Sequence, residues 1–237
     1  MTTLADKVTL ARLVIAPAAV ACYLFLPLES AFYACAILCG VAEISDWLDG
    51  KVARARNEVS DFGKLADPFC DVFYRMGVML AAVLPAGAIG LSVAAPTDPR
   101  WQAPTYIADL DPLLIGTGVF PFLPVLIMVL REIAAGALRA MCATKGLVLA
   151  ARLSGKVKAW FQGLTLISGL SVAAIFTGYP DQVRLYALVM AWVCALFSVA
   201  SFFEYLWVNR PTLALLVRPH QRETKVKATE LPPGESA

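Results

Sequence analysis

The sequence predicts an all-α, polytopic integral membrane protein with six transmembrane helices and both termini in the cytoplasm, on three observations. Hydrophobic residues make up 59% of the 237 and charged residues only 16%, against about 45–50% and about 25% in an average soluble domain. Six stretches each reach the ~20 residues that a hydrocarbon core requires. With the termini inside, 18 of the 20 basic residues fall on the cytoplasmic side or at its helix ends, and only Arg100 and Arg184 fall outside; this is the asymmetry that orients membrane proteins. A formal net charge of +2 argues against nucleic acid as the main partner.

The first stretch, 9–28, follows Lys7 as a signal peptide would. Arg12 and Pro17 interrupt it and no A-x-A cleavage site closes it, so a retained helix is expected. The second, 30–55, is longer than the hydrocarbon needs and carries its charges at the second end, which should project from the membrane. The third covers 67–93, and a Pro- and Asp-containing outer loop follows at 94–112. The fourth, 113–140, again ends in charges, and 157–177 and 183–208 complete the bundle. Residues 1–208 therefore form one membrane domain, and 209–237 a flexible cytoplasmic tail. Arg218, Arg222, Lys225 and Lys227 suit that tail to anionic lipid. The six cysteines lie in apolar stretches without a CxxC pair, so neither a disulfide framework nor a zinc site is expected. His220 belongs to the polar tail.

Asp46, Asp49, Asp67 and Asp71 are out of place in such a chain, because a carboxylate near hydrocarbon costs several kcal/mol unless paired, hydrated or bound to metal. They belong to DWLDGKVARARNEVSDFGKLADPFCD, which spells D-x2-D-G-x2-A-R-x8-G-x3-D-x3-D. On a helix Asp46 and Asp49 share a face, and Gly50 and Ala53 continue it with almost no bulk, so a ligand can lie against the backbone. Arg54 adds a fork suited to phosphate oxygens. Gly63 leads into the next helix, where Asp67 and Asp71 share a face at i, i+4. A hairpin of the two helices brings the pairs together, and the repulsion among four carboxylates is relieved by one or two divalent cations. All-oxygen ligation favours Mg2+ or Mn2+ over zinc. Pro68 fits either a first helical turn or the interior of a helix begun near Ser60. Any one of these aspartates is accounted for by pairing with Lys51, Arg54, Arg56 or Lys64. The whole pattern is not, since eight specified residues at fixed spacing arise by chance on the order of once in ten million chains or less.

With every position of that pattern matched, the chain is identified as resembling the CDP-alcohol phosphatidyltransferase family. The resemblance implies six membrane helices, a homodimer, and displacement of CMP from a CDP-linked lipid by an alcohol with the aid of divalent metal. Carried over position by position, Asp46, Asp49 and Asp67 would ligate metal. Asp71 would complete the cluster and act as the base for the attacking hydroxyl. Gly50 and Ala53 would floor the CDP pocket, with Asp49 and Gly63 beside it and Arg54 on a phosphate. The opening VTLARLVIAP is similar to the family's T-L-x-R-x4-P, which implies that Thr9 and Arg12 approach the donor. The site would face the cytoplasm and open laterally to the inner leaflet, because the CDP-diacylglycerol donor keeps its tails in membrane lipid.

The acceptor is read from residues 131–162, REIAAGALRAMCATKGLVLAARLSGKVKAWFQ. Ordinary positive-inside flanking accounts for about half of its basic residues. Arg131 follows a long apolar run and sits beside Glu132, and a cation so placed suits a phosphomonoester. The spacing R-E-I-x2-G-x-L-R, then K-G, then G-K-x-K-x3-Q, looks like the phosphatidylglycerophosphate synthase branch. That branch implies sn-glycerol 3-phosphate as acceptor, held by Arg131, Arg139, Lys156 and Arg75. Two positions depart from it: Thr3 replaces an Asn, and Val72 replaces the Lys that usually follows the last aspartate. Arg75, four residues past Asp71, can supply the missing positive charge on the same face. Phosphatidylglycerol (as in cardiolipin synthase) and inositol phosphate are the alternative acceptors within the family. A cation transporter would spread acids through the membrane midplane, whereas here all four aspartates crowd one side.

Overall fold

The computed structural model describes residues 4–56, 61–87, 89, 118–147 and 153–217, with side chains described from residue 10 onward except at 46–56, 61–68 and 215–217. Thr3, the loop at 94–112 and the tail beyond 217 lie outside the described residues. Among the described residues the chain is all-α, with six helices and no strand. They are α1 (Leu4–Phe25), α2 (Leu28–Arg56), α3 (Asp61–Ala81), α4 (Phe122–Thr144), α5 (Leu153–Ile175) and α6 (Pro180–Val217). At 1.5 Å per residue the 29-residue α2 is about 44 Å long and the 38-residue α6 about 57 Å. Both exceed a hydrocarbon core of about 30 Å. The segments Leu28–Ser45 and Pro180–Ala214 are long and apolar enough to cross a membrane by length and composition. Helix α6 runs on through 209–217, residues that the sequence places at the start of the tail. Helix α3 begins at Asp61, so position 68 falls in its interior and not in its first turn.

Helix α1 lies against both α2 and α3. Helix α5 packs on α2 and α6, α4 packs on α6, and α3 touches α4 and α5. The seams are built from small residues at helical spacing. Helix α1 buries Arg12, Ala16, Ala19 and Tyr23, α2 buries Cys35, Cys39 and Ala42, and α6 buries Ala187, Ala191, Cys194 and Ser198. Small side chains let helix backbones approach closely, which is how helices associate when the surroundings are as apolar as the side chains. Large apolar groups point outward instead, among them Val14, Ile37, Trp160, Leu196 and Phe203. In water such a surface drives association, whereas lipid chains solvate it. All six cysteines are free thiols, and all but Cys22 are buried.

Two helix ends differ from the expected segments, for a reason that lies far off in sequence. The third segment was expected over 67–93, yet α3 ends at Ala81; the fourth was expected from 113, yet α4 begins at Phe122. Between them the backbone at 82–84 pairs with 118–120. Gly118 N–H donates to Val83 C=O at 2.8 Å and Phe120 N–H to Ala82 C=O at 3.1 Å. The Tyr23 hydroxyl donates to Leu84 C=O at 3.0 Å. Gly87, with φ +73°, donates its N–H to Tyr23 C=O at 2.8 Å. Pro85 and Pro121 remove donors that a continuing helix would need. The backbone groups released by ending α3 early are thus satisfied by α1 and by the strap before α4.

This close approach requires glycine at 118, since a Cβ there would collide with the carbonyl oxygens of Ala82 and Leu84. Gly118→Ala is therefore expected to destabilise the protein by about 1–3 kcal/mol. Gly40→Ala, in open space within α2, should be neutral or slightly stabilising. Thermal unfolding in detergent micelles checks this: equal midpoints for the two variants would contradict the packing described.

Candidate active site

Buried charge concentrates where α1, α2 and α3 meet. Arg12, on the inward face of α1, is only 1% exposed and pairs with Asp71 Oδ1 of α3. Asp71 Oδ2 lies 3.5 Å from Arg75 Nη1, one turn along the same helix. The rest of the Arg75 guanidinium grips Glu43 of α2 as a fork, Nε to Oε1 at 2.7 Å and Nη2 to Oε2 at 2.8 Å. A two-pronged arginine–carboxylate bond is both strong and directional. The result is one chain of charge, Arg12–Asp71–Arg75–Glu43, linking three helices. Tyr74 ties α3 to α2 as well, its hydroxyl donating to Cys39 C=O at 3.0 Å. On the far side stands α5: a Cβ on Gly163 would lie 2.9 Å from Glu43 Oε1, so the α5 backbone walls the carboxylate in.

A second buried cluster occupies the next turn of α5. Glu132 of α4 is 4% exposed and pairs with Lys158 of α5. It also accepts from Gln162 Nε2 at 3.2 Å and from Arg131 Nη1, 3.2 Å from each oxygen. Arg131 Nη2 donates to Ser201 Oγ of α6 at 3.1 Å, and its guanidinium lies 5.6 Å from the centre of the Phe202 ring. Its Nε–H is buried and meets no hydrogen-bond acceptor among the described residues. Two cations face one carboxylate here, leaving an excess of positive charge. In the first cluster, among the described residues, two guanidiniums face two carboxylates. Gln162 belongs to one cluster and Gly163 to the other, so they are neighbours across a single turn of α5.

The residues expected from sequence divide accordingly. Asp71, Arg12 and Arg75 come together. Asp46, Asp49, Gly50, Ala53 and Arg54 lie on the last turns of α2, Gly63 and Asp67 on the first turns of α3, and Thr9 one turn before Arg12; their side chains lie outside the described residues. Arg131 enters the second cluster. Arg139 is exposed, with Nε donating to Ala135 C=O at 3.3 Å, and Lys156 is exposed too. Lys158 takes the buried place, because residues two apart on a helix face opposite ways.

Glu43, Lys158, Gln162 and Ser201 were not singled out from sequence. Glu43 had a signal, standing three residues before Asp46 on the same face. Lys158 and Gln162 had one in their i, i+4 spacing. Ser201 had none, since its partner is 70 residues away.

Residues 2–200 match the CDP-alcohol phosphatidyltransferase family. The chain belongs to this family. It is an enzyme of that type, a transferase of phospholipid biosynthesis in the membrane. A CDP-diacylglycerol–glycerol-3-phosphate 3-phosphatidyltransferase of Bacillus subtilis is 29% identical over 177 residues, 73% of this chain and 72% of that one. The protein of the same description from Haemophilus influenzae is 24% identical over 86% of this chain and 92% of its own. A putative cardiolipin synthase of Mycobacterium tuberculosis is 33% identical over 48% of each chain. Among solved structures, the apo form of a phosphatidylinositol phosphate synthase of Mycobacterium tuberculosis covers 84% of this chain and 88% of its own at 17% identity, with a TM-score of 0.49.

Within this phosphatidyltransferase, Glu132→Ala would leave Arg131 and Lys158 buried without the carboxylate between them. A loss of about 3–5 kcal/mol is expected. Glu132→Ala combined with Lys158→Met should cost less than the sum of the two single changes, with a coupling of about 1–3 kcal/mol. Unfolding in mixed micelles measures the cycle, and simple additivity would contradict the pairing.

Proposed function

We propose that the enzyme transfers the phosphatidyl group of CDP-diacylglycerol to sn-glycerol 3-phosphate, giving phosphatidylglycerophosphate and CMP. The observation that carries the choice of acceptor is the positive excess of the Arg131–Glu132–Lys158 cluster, whose Gln162 adjoins Gly163, the α5 residue against Glu43. A phosphomonoester supplies the charge that this cluster lacks, and the unpartnered Arg131 Nε–H gives it a donor. The names of the Bacillus subtilis and Haemophilus influenzae relatives point the same way. The likeness to a putative cardiolipin synthase favours phosphatidylglycerol as the second reading, with the same chemistry and a phosphodiester acceptor.

In this reading Asp46, Asp49, Asp67 and Asp71 hold one or two Mg2+ or Mn2+ ions. The donor set fits, because it is all oxygen and carboxylate. When bound, the metal supplies neutralisation of the pyrophosphate and polarisation of the phosphorus centre. The chain's own residues do the rest. Gly50 and Ala53 leave the α2 face smooth for the nucleotide, beside Asp49 and Gly63, and Arg54 takes a phosphate oxygen. Thr9 and Arg12 bring α1 to the donor. Asp71, its two oxygens held by Arg12 and Arg75, accepts the proton of the glycerol 3-phosphate primary hydroxyl. That oxygen bonds to the β-phosphorus as the bond to CMP breaks, with no covalent enzyme intermediate. Arg131, with Lys158 behind it and Arg139 and Lys156 at the exposed edge, draws in the acceptor phosphate.

The same reading has six membrane crossings, both termini cytoplasmic, and a site facing the cytoplasm that opens sideways to the inner leaflet of the cell membrane. It also has a homodimer, as the family resemblance implies.

CMP release by purified protein given CDP-diacylglycerol, Mg2+ and a panel of acceptors tests the reaction. Release with phosphatidylglycerol or inositol phosphate and none with glycerol 3-phosphate would overturn the acceptor. Asp71→Asn should lower kcat by about 10²–10⁴-fold while donor binding persists; full turnover would remove its role as base. Arg131→Ala should raise the KM for glycerol 3-phosphate by at least about tenfold, the loss expected for one charge-assisted contact of ~1.5–3 kcal/mol. The KM for CDP-diacylglycerol should stay within about twofold, and an unchanged acceptor KM would remove Arg131 from the acceptor site.

A further inference from the structure

We propose that Glu43 is a positioning residue for the transfer step, holding Arg75 so that a guanidinium stands beside the Asp71 carboxylate. The inference rests on the reading of Asp71 as the base.

Two observations carry it. Arg75 sets a positive charge beside the carboxylate, with Nη1 3.5 Å from Asp71 Oδ2. Left to itself, an arginine four residues along a helix samples several rotamers and spends part of its time away from its neighbour. The fork to Glu43 removes that freedom, with Nε and Nη2 fixed at 2.7 and 2.8 Å, and leaves Nη1 on the side of Asp71.

Glu43 is itself held in place. The α5 backbone at Gly163 leaves no room for even a methyl group against its carboxylate, 2.9–3.0 Å from where a Cβ would stand. Position 43 thus transmits the placement of α5 to the reacting carboxylate. Because Gln162 reaches the Glu132 cluster from the same turn of α5, the two clusters are set relative to each other by one rigid element. Glu43 touches neither proposed substrate; it acts through Arg75.

The experiment compares Glu43→Gln, Glu43→Asp and the charge swap E43R/R75E with wild type, measuring kcat, both KM values, CMP binding and the thermal midpoint in micelles. The acceptor is whichever one the panel identifies, and Asp71→Asn is the reference. Glu43→Gln is expected to lower kcat by about 10–100-fold, the loss that follows from a small displacement of a reacting group. Both KM values and CMP binding should stay within about twofold, and Glu43→Asp should keep more of kcat than Glu43→Gln. The swap rebuilds the α2–α3 ion pair but puts a carboxylate beside Asp71, so the thermal midpoint should recover while kcat stays low. A swap that restores kcat together with stability would reduce Glu43 to a structural residue and overturn the proposal, as would wild-type kcat in a folded Glu43→Gln. Full activity in Asp71→Asn would remove the base reading instead, so the two failures are told apart.

Discussion

The structure depends on keeping guanidinium groups inside a bundle whose outer surface is apolar. Arg12 is almost completely enclosed, and an unpaired charge there would cost several kcal/mol. Asp71 removes that cost, Arg75 takes the other face of Asp71, and Glu43 closes the series. Each helix of the first trio contributes at least one member, so none can shift without stranding a buried charge. Apolar packing alone does not give such registry, because alanine and cysteine seams tolerate sliding by a turn far better than a forked ion pair does. The charges that sit at the reaction centre in the proposed mechanism are also the ones that lock α1, α2 and α3 in place.

Much of this was legible in the sequence. The helical class followed from composition, since a chain this apolar must satisfy its backbone internally. The aspartate pattern falls on the last turns of α2 and the first half of α3. Arg12 was singled out through the family-like opening of α1 and Arg75 through its i, i+4 spacing from Asp71; that both would close on Asp71 was legible only for Arg75. The ends of α3 and α4 were not legible. Hydropathy continues smoothly through 82–93 and 113–121, whereas the helix is interrupted by hydrogen bonds from Tyr23, about 60 residues away, and by a glycine contact at 118. Sequence patterns report local periodicity and do not report which distant hydroxyl will take a freed carbonyl.

The acceptor side shows the same limit at the level of single residues. Basic residues were visible along 131–158, but which of them turn inward depends on helix phase. Residues Lys156 and Lys158 look alike in a list of positive charges. Two positions apart on α5, one faces out and the other closes on Glu132. A motif written as G-K-x-K-x3-Q contains the answer only when its spacing is read as a helix face, because Lys158 and Gln162 are one turn apart and Lys156 is not on their side.

The division of charge between the two clusters bears on how one fold can keep a donor chemistry and change its acceptor. Among the described residues the Arg12–Asp71–Arg75–Glu43 group sets two guanidiniums against two carboxylates. The Arg131–Glu132–Lys158 group carries net positive charge and shares none of its residues with the first. Gln162 and Gly163, consecutive residues of α5, link the two. A side chain at 163 would meet the Glu43 carboxylate directly. In the proposed function, acceptor choice belongs to the α4–α5–α6 face and phosphoryl chemistry to the α1–α2–α3 junction.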